Sequence, residues 1–217
     1  MAIDRQKGTC KHCRVKFKKV NNFYLYCEST PECLAAGKEF QLNARIKSAL
    51  KKVRNDEKEK FAVMKENIKT LSQWKNDLQK EINAIVREID KGHPCIATGT
   101  MEGKRNAGHY IGIGANQTLR FHLENIWNQS EHSNMWKSGD TIRYQEGIIK
   151  LYGKCYLDYL NSLQSLKIIK LDIEDIKLAI SKSRGILKWL KLQDRIFTTE
   201  ERLELRKRFN IEIGIYK

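Results

Sequence analysis

The chain has 217 residues, a formal net charge of +15 at pH 7 and a pI near 9.5. That length can bury one large core or two small ones, and the charge calls for a polyanionic partner, of which nucleic acid is the default. No apolar run approaches the ~20 residues that span a bilayer, and "MAIDRQKGTC" lacks a secretory apolar core, so no membrane partner and a cytoplasmic setting are expected.

The first 34 residues hold four of the six cysteines, Cys10, Cys13, Cys27 and Cys33, spaced C-x2-C, thirteen residues, C-x5-C. In a reducing compartment such clustering argues for metal rather than disulfides, and two close pairs can close a tetrahedral thiolate site around a structural Zn2+. Free or redox-active thiols are the alternative. "VKFKK" and "NFYLY" alternate as a small β-hairpin would, and the metal would replace a core that so short a module cannot build. Lys11, Arg14, Lys16, Lys18 and Lys19 are candidate contacts to a phosphate backbone, against the plainer reading of a solvated face.

From Pro31 the pattern turns helical. Leu42, Ile46, Ala49 and Val53, then Phe61, Met64, Ile68 and Leu71, recur at steps of three and four, with Asp56 and Glu57 between them. This predicts a long basic amphipathic helix, acting as a stalk, packing within the chain or pairing in a homodimer. Ser72 can cap a second helix with Trp74, Leu78, Ile82, Ile85, Val86 and Ile89 on its apolar face, ended by Gly92 and Pro94. Residues 94–140 lose that period and read as two or three strands with loops. Helices return near 141–166 and 172–193. Thr198 and Glu201 form a capping-box pattern for a last helix, and the alternating tail "NIEIGIYK" predicts a terminal strand.

The irregular segment is where a site is expected. Its order His109, Asn125, Asn134 is that of an HNH (ββα-metal) nuclease. Phosphodiester hydrolysis needs a base, which a neutral imidazole supplies near pH 7. It also needs a hard cation to neutralise developing charge, and an amide that donates and accepts can hold the hairpin loop. As a bare pattern these three residues specify little, since a lone His beside Tyr110 is more often structural.

A longer match carries more weight. "INAIVREIDKGHPCIATGT", "NAGHYIGIGANQTLRFHLENIWNQSEHSN" and "KSGDTIRYQEGI" resemble the NinG (Rap) family of lambda-type phages, recombination endonucleases of the HNH type. The words in register are "PCI", "AGHY", "LRF", the Asn and Ile of "NI", Gln129, Asn134 and "SG" at 138–139, within residues 80–165; the four-cysteine module ending in "PEC" and the basic helix also fit. The resemblance implies metal-dependent cutting of branched DNA such as Holliday junctions. By it His109 is the general base, Asn125 the second catalytic residue and the orienting Asn of the hairpin, and Asn134 a ligand of a catalytic Mg2+ or Mn2+. Arg120 is a candidate phosphate clamp, a structural salt bridge being the alternative.

The implied fold is α+β and mostly helical: a zinc-ribbon or treble-clef-like module over 1–37, the basic helix over 38–72, an HNH-like ββα core with flanking helices over 73–166 and a helical region over 167–217. The sequence departs from the family in one respect. Where the family carries two C-x-x-C pairs around the hairpin, only Cys95 stands, with Thr98, Ser130 and Ser133 at the other positions. Hydroxyls are poor zinc ligands, so this knuckle is expected to hold no zinc while its turns survive on hydroxyl hydrogen bonds. Many HNH sites also place an acidic ligand just before the His, where Gly108 stands; His109 itself, Glu131, His132 or Asp140 are the possible partners of Asn134. The competing functions are a nuclease-dead protein that binds DNA junctions and, on the first 34 residues alone, a zinc-ribbon transcription factor.

Overall fold

A computed structural model describes residues 7–19, 24–136 and 140–216. The chain divides into two compact units, Met1–Ile68 and Lys69–Lys217. The zinc module and the long helix expected as separate segments therefore share one unit, and the C-terminal helices share the other with the segment that holds His109.

In the first unit, β1 (Lys7–Thr9) pairs antiparallel with β2 (Lys16–Lys18). "VKFKK" thus supplies a strand, but its partner is not "NFYLY". Asn22 and Phe23 lie outside the described residues, and Tyr24 to Tyr26 form no strand. Leu25 instead accepts a hydrogen bond from the Lys11 N–H at 2.9 Å, which lays this segment across the first cysteine turn. The helix α1 (Pro31–Asn67) starts at a proline whose missing N–H costs nothing there, under a Thr30 hydroxyl that accepts from the Cys33 N–H. Only Cys33 is buried along its 37 residues, so its apolar stripe is not a core face of this unit.

The second unit begins with α2 (Leu71–Ile89). Its cap is Thr70, not Ser72. The Thr70 hydroxyl accepts from the Gln73 N–H at 3.3 Å and Gln73 returns a bond to the Thr70 N–H at 2.8 Å. Three residues after Ser72 stands Lys75, which has no acceptor to return. All six predicted apolar residues of α2 are buried, each contributing roughly 1.5–3 kcal/mol before conformational entropy is subtracted. They pack against α6 (Ile173–Gln193) and α7 (Thr199–Ile213), joined by Phe121, Leu123 and Ile126.

Between 94 and 140 the chain forms a two-stranded hairpin, β3 (Arg105–His109) against β4 (Ile126–Ser130), with Gly108 opposite Trp127 and His109 opposite Ile126. A short helix, α3 (Glu131–Trp136), follows directly. β4 is buried throughout, and its alternation serves two cores. Ile126 faces the α2, α6 and α7 side, whereas Trp127 joins Tyr110, Leu119, Tyr144, Ile148 and Leu160. The helix expected near 141–166 is two, α4 (Thr141–Tyr152) and α5 (Lys154–Ser162), broken at Gly153 with φ 80°. Gly147 in α4 is required by contact. A Cβ there would meet the Ile96 backbone oxygen at 1.8 Å.

The tail is not a strand. Phe209, Asn210 and Ile213 are buried at helical spacing while Ile211 is 76% exposed, so α7 continues until Gly214 ends it in the left-handed region at φ 83°. Tyr216 then turns back: its hydroxyl donates to the Thr118 carbonyl at 2.6 Å and accepts from the Phe121 N–H at 3.2 Å.

Asp90, the residue that ends α2, joins these parts. Its carboxylate is fully buried against Arg202 at 2.8 Å and Arg206 at 2.7 Å, both on α7, and accepts from the Asn128 N–H of β4 at 2.8 Å. The Arg206 guanidinium stacks 3.7 Å from the Trp127 ring centroid. Burial alone would raise the Asp90 pKa, but the two guanidinium charges and these hydrogen bonds hold it below the usual carboxylate range. Asp90→Asn would leave two buried cations without a counter-charge. It is expected to cost about 3–5 kcal/mol, roughly a 10 °C fall in thermal midpoint by circular dichroism. Because the folded-state pKa is depressed, this stabilisation is complete above the usual carboxylate range and is lost as pH falls through the folded value. The variant should therefore show a flatter acid dependence than the parent.

Candidate functional site

The four N-terminal cysteines converge so that all four sulfurs lie within 4.8 Å of one another. Cys10 and Cys33 stand 3.9 Å apart, and Cys13 and Cys27 3.5 Å apart. A tetrahedral zinc with sulfur ligands at about 2.3 Å requires edges of about 3.8 Å, so the donor set fits the ion. Against the opposing effect of burial, backbone N–H groups of Cys27, Cys13 and His12 draw the Cys10 thiol down to about 6. One of them, the Cys27 N–H, lies 3.2 Å from the Cys10 sulfur. His12, which the cysteine spacing gave no reason to single out, places Nδ1 3.5 Å from the Cys33 sulfur, where it can support a ligand from outside the tetrahedron.

Of the basic residues proposed around this module, Lys16 and Lys18 share one face of β2, with Lys7 paired directly opposite Lys18. Arg14 is exposed in the left-handed region at φ 63°, and Lys11 lies 5.7 Å from the Phe40 ring centroid. The Lys19 side chain lies against Gly8.

In the second unit His109 is the last residue of β3. Its Nε2 lies 2.8 Å from the Arg120 carbonyl oxygen. A carbonyl can only accept, so Nε2 carries the proton, and the neutral ring presents a basic Nδ1 with no partner among the described residues. Burial, and secondarily the Arg120 charge, lower the His109 pKa against the opposing carbonyl bond, which keeps the ring neutral near pH 7. His122 was not singled out and is a structural histidine, buried and pushed down to about 4 by desolvation.

Asn125 builds the loop that pins His109. Its Oδ1 accepts from the Ile111 N–H at 2.8 Å, while its Nδ2 donates to the carbonyls of Ile111 at 3.0 Å and Leu119 at 3.2 Å. An aspartate could make the first bond but neither of the others. At 1% exposure Asn125 cannot touch a substrate, so it acts on the loop and, through the Arg120 carbonyl, on the His109 ring. The neighbouring Glu124 is buried and accepts from the hydroxyls of Tyr156 and Tyr159, both at 3.2 Å, which fastens the loop to α5.

The Arg120 side chain bonds two neutral amides of α2, Asn76 at 2.7 Å and Gln79 at 3.3 Å. Among the described residues it has no carboxylate partner, so the salt-bridge alternative does not hold. Its cation is positioned but not neutralised.

Asn134 sits on α3. A Cβ on Gly108 would come within 3.1 Å of the Asn134 Oδ1 and 2.0 Å of the Gln129 Oε1. The amide oxygen therefore lies against the residue that precedes His109, which is a glycine and offers no acidic side chain. Of the other possible partners, Glu131 is bound to Lys104 at 2.9 Å, Asp140 accepts from the Ser133 hydroxyl at 3.3 Å, and His132 is exposed.

Cys95, Thr98, Ser130 and Ser133 come together around the base of the hairpin. The Cys95 sulfur accepts from the N–H groups of Thr98 at 3.4 Å and Ser130 at 3.2 Å, and the Ser130 hydroxyl accepts from the Ser133 N–H at 3.3 Å. Burial would raise the Cys95 thiol, but hydrogen bonds from Thr98 and Ser130 hold it below its ordinary value. Ser138 and Gly139 lie outside the described residues. Purified protein is expected to carry one zinc per chain by elemental analysis. Two per chain would place a second ion at the Cys95 turns, contrary to this reading.

A family model described as "Bacteriophage Lambda NinG protein" matches residues 3–193. The chain is 35% identical over 106 residues to "Protein ninG" of Escherichia phage 933W, covering 48% of this chain and 53% of that protein. It is 34% identical over 105 residues to the proteins of that name from Escherichia phage lambda and Salmonella phage P22, covering 48% of this chain and 52% of each. The chain thus matches about half the length of these curated relatives. No solved structure matches it, and among the described residues no helix is long and apolar enough to cross a membrane. The family match extends far beyond the segment from 80 to 165, and the chain belongs to the bacteriophage lambda NinG family.

Proposed function

We propose that this chain is a metal-assisted endonuclease that cuts branched DNA during phage recombination, in the cytoplasm of an infected bacterial cell. The observation that carries the reading is the His109 ring, tautomerically fixed by the Arg120 carbonyl at the end of a β-β-α unit, with its Nδ1 left basic.

In this reading His109 takes a proton from the attacking water at Nδ1. Asn125 is a positioning residue, since it holds the loop carbonyls in place. Asn134 offers a hard, neutral amide oxygen of the kind Mg2+ or Mn2+ accepts. Once bound, such an ion would neutralise the charge that builds on the phosphodiester. Arg120, without a counter-charge among the described residues, can face a phosphate oxygen. Lys11, Arg14, Lys16, Lys18 and Lys19 would contact the DNA backbone from the N-terminal module. Cys95, Thr98, Ser130 and Ser133 are then the turns of a former zinc knuckle, kept closed by N–H bonds to one sulfur and one hydroxyl.

A second reading is a protein that binds junctions without cutting them. It is favoured by the glycine at 108, which leaves Asn134 no acidic neighbour at that position.

A four-way DNA junction incubated with the protein and Mg2+ or Mn2+ should acquire nicks near the branch. His109→Ala should lower the rate at least ~100-fold while salt-dependent binding to the junction is retained. Asn125→Asp should also slow cutting, through loss of the two Nδ2 bonds. A junction that stays intact with the parent protein in either ion would overturn the nuclease reading and leave the binding one.

A further inference from the structure

The first turns of α1 and residues 24–26 flank an open groove of about 670 Å3 beside the cysteine cluster, within the roughly 300–1,000 Å3 of pockets that hold small ligands. Its walls are aromatic. The Tyr26 and Phe40 rings stand with centroids 5.6 Å apart and planes tilted by 49°. Tyr24 lines the same groove, and Phe40 is left 41% exposed. The Lys11 ammonium lies 5.7 Å from the Phe40 centroid. Gly37 keeps the groove open. Glycine is a poor helix residue, yet here a Cβ would meet the Tyr26 side chain at 3.4 Å, and a longer side chain would fill the space.

The charges around the groove select its occupant. Lys38 and Arg45 line it on one side of α1 with Gln41 between them, and Glu28 is the one acid among the lining residues. With Lys11 the balance is positive, in a chain that carries +15 overall. An aromatic slot rimmed by cations fits a ligand that is flat and π-rich at one end and anionic at the other, as a nucleotide is. Lys38 and Arg45 stand seven residues apart, about 10 Å along the helix, which suits successive phosphates of a strand rather than a single one. In a duplex both faces of each base are covered by its neighbours, so only an unpaired base can lie on these rings. The Gln41 amide can donate to or accept from any base edge, which suits binding without sequence preference.

We propose that this groove binds single-stranded DNA, with an unpaired base stacked on Phe40 and Tyr26 and the adjoining phosphates held by Lys11, Lys38 and Arg45. The site shares with the nuclease reading only its DNA partner. It needs no catalytic ion, so a test without Mg2+ or Mn2+ separates the two.

The test is fluorescence anisotropy of a labelled oligothymidine of about 12 nucleotides, titrated with the full-length, zinc-loaded protein in about 100 mM NaCl. The parent protein should bind it at least ~10-fold more tightly than an abasic strand of the same length and charge. Phe40→Leu keeps an apolar side chain and removes the ring. It should weaken this binding about 5- to 100-fold, with duplex affinity and zinc content unchanged. Gly37→Leu, which favours the helix and fills the groove, should do the same, whereas Phe40→Trp should bind at least as tightly as the parent. Equal affinity for the abasic strand would leave only charge attraction and overturn the proposal. So would Phe40→Leu or Gly37→Leu protein that binds oligothymidine as the parent does, or that loses duplex binding to the same extent.

Discussion

The second unit is organised around one buried carboxylate. Asp90 ends α2, receives two guanidiniums from α7 and takes an N–H from the middle of β4. A charge in so dry a place is tolerable only when fully compensated, so the three elements are tied to one geometry. Arg206, held by Asp90, also lies on Trp127, the residue opposite Gly108 in the hairpin. The strand pair that ends in His109 is therefore braced from beneath by an ion cluster in the helical core.

On that base the irregular segment gains order that neither strand nor helix supplies. Two strands of five residues are marginal alone. Here the long connection between them is closed by the Asn125 amide, stitched to α7 and the tail through Asn210 and Tyr216, and fastened to α5 through Glu124. The product is a carbonyl held 2.8 Å from the His109 ring. Such a bond selects a tautomer without making the ring cationic, which is the state a general base requires.

The turns at Cys95 and Ser130 rest on hydrogen bonds. Two N–H groups point at the Cys95 sulfur and one at the Ser130 hydroxyl. Close packing supports them: Gly147 brings the α4 backbone against the Ile96 carbonyl, and Asn128 reaches the His93 carbonyl at 3.0 Å. Among the described residues of the N-terminal module the buried cluster is Cys10, Cys27 and Cys33, with Cys13, Phe17 and Tyr26 packed against it.

Local patterns fixed much of this in advance. Four cysteines at close spacing identified a cluster able to hold a metal, the 3.6-residue period located α2 and its buried face, and Thr198 with Glu201 marked the start of α7, because each signal lies within a few residues of its cause. The sequence also placed His109, Asn125 and Asn134 in order, but not the carbonyl that fixes the His109 tautomer. Where local signals competed, they misled: "NIEIGIYK" alternates as a strand does, yet the burial of Phe209 and Ile213 makes its first half helix. Only the tertiary structure could join Asp90 to Arg202 and Arg206, 112 and 116 residues away. A charge pair at that separation leaves no period or motif in one sequence; it exists only because packed apolar faces bring the ends of α2 and α7 together and exclude the water that would otherwise screen it.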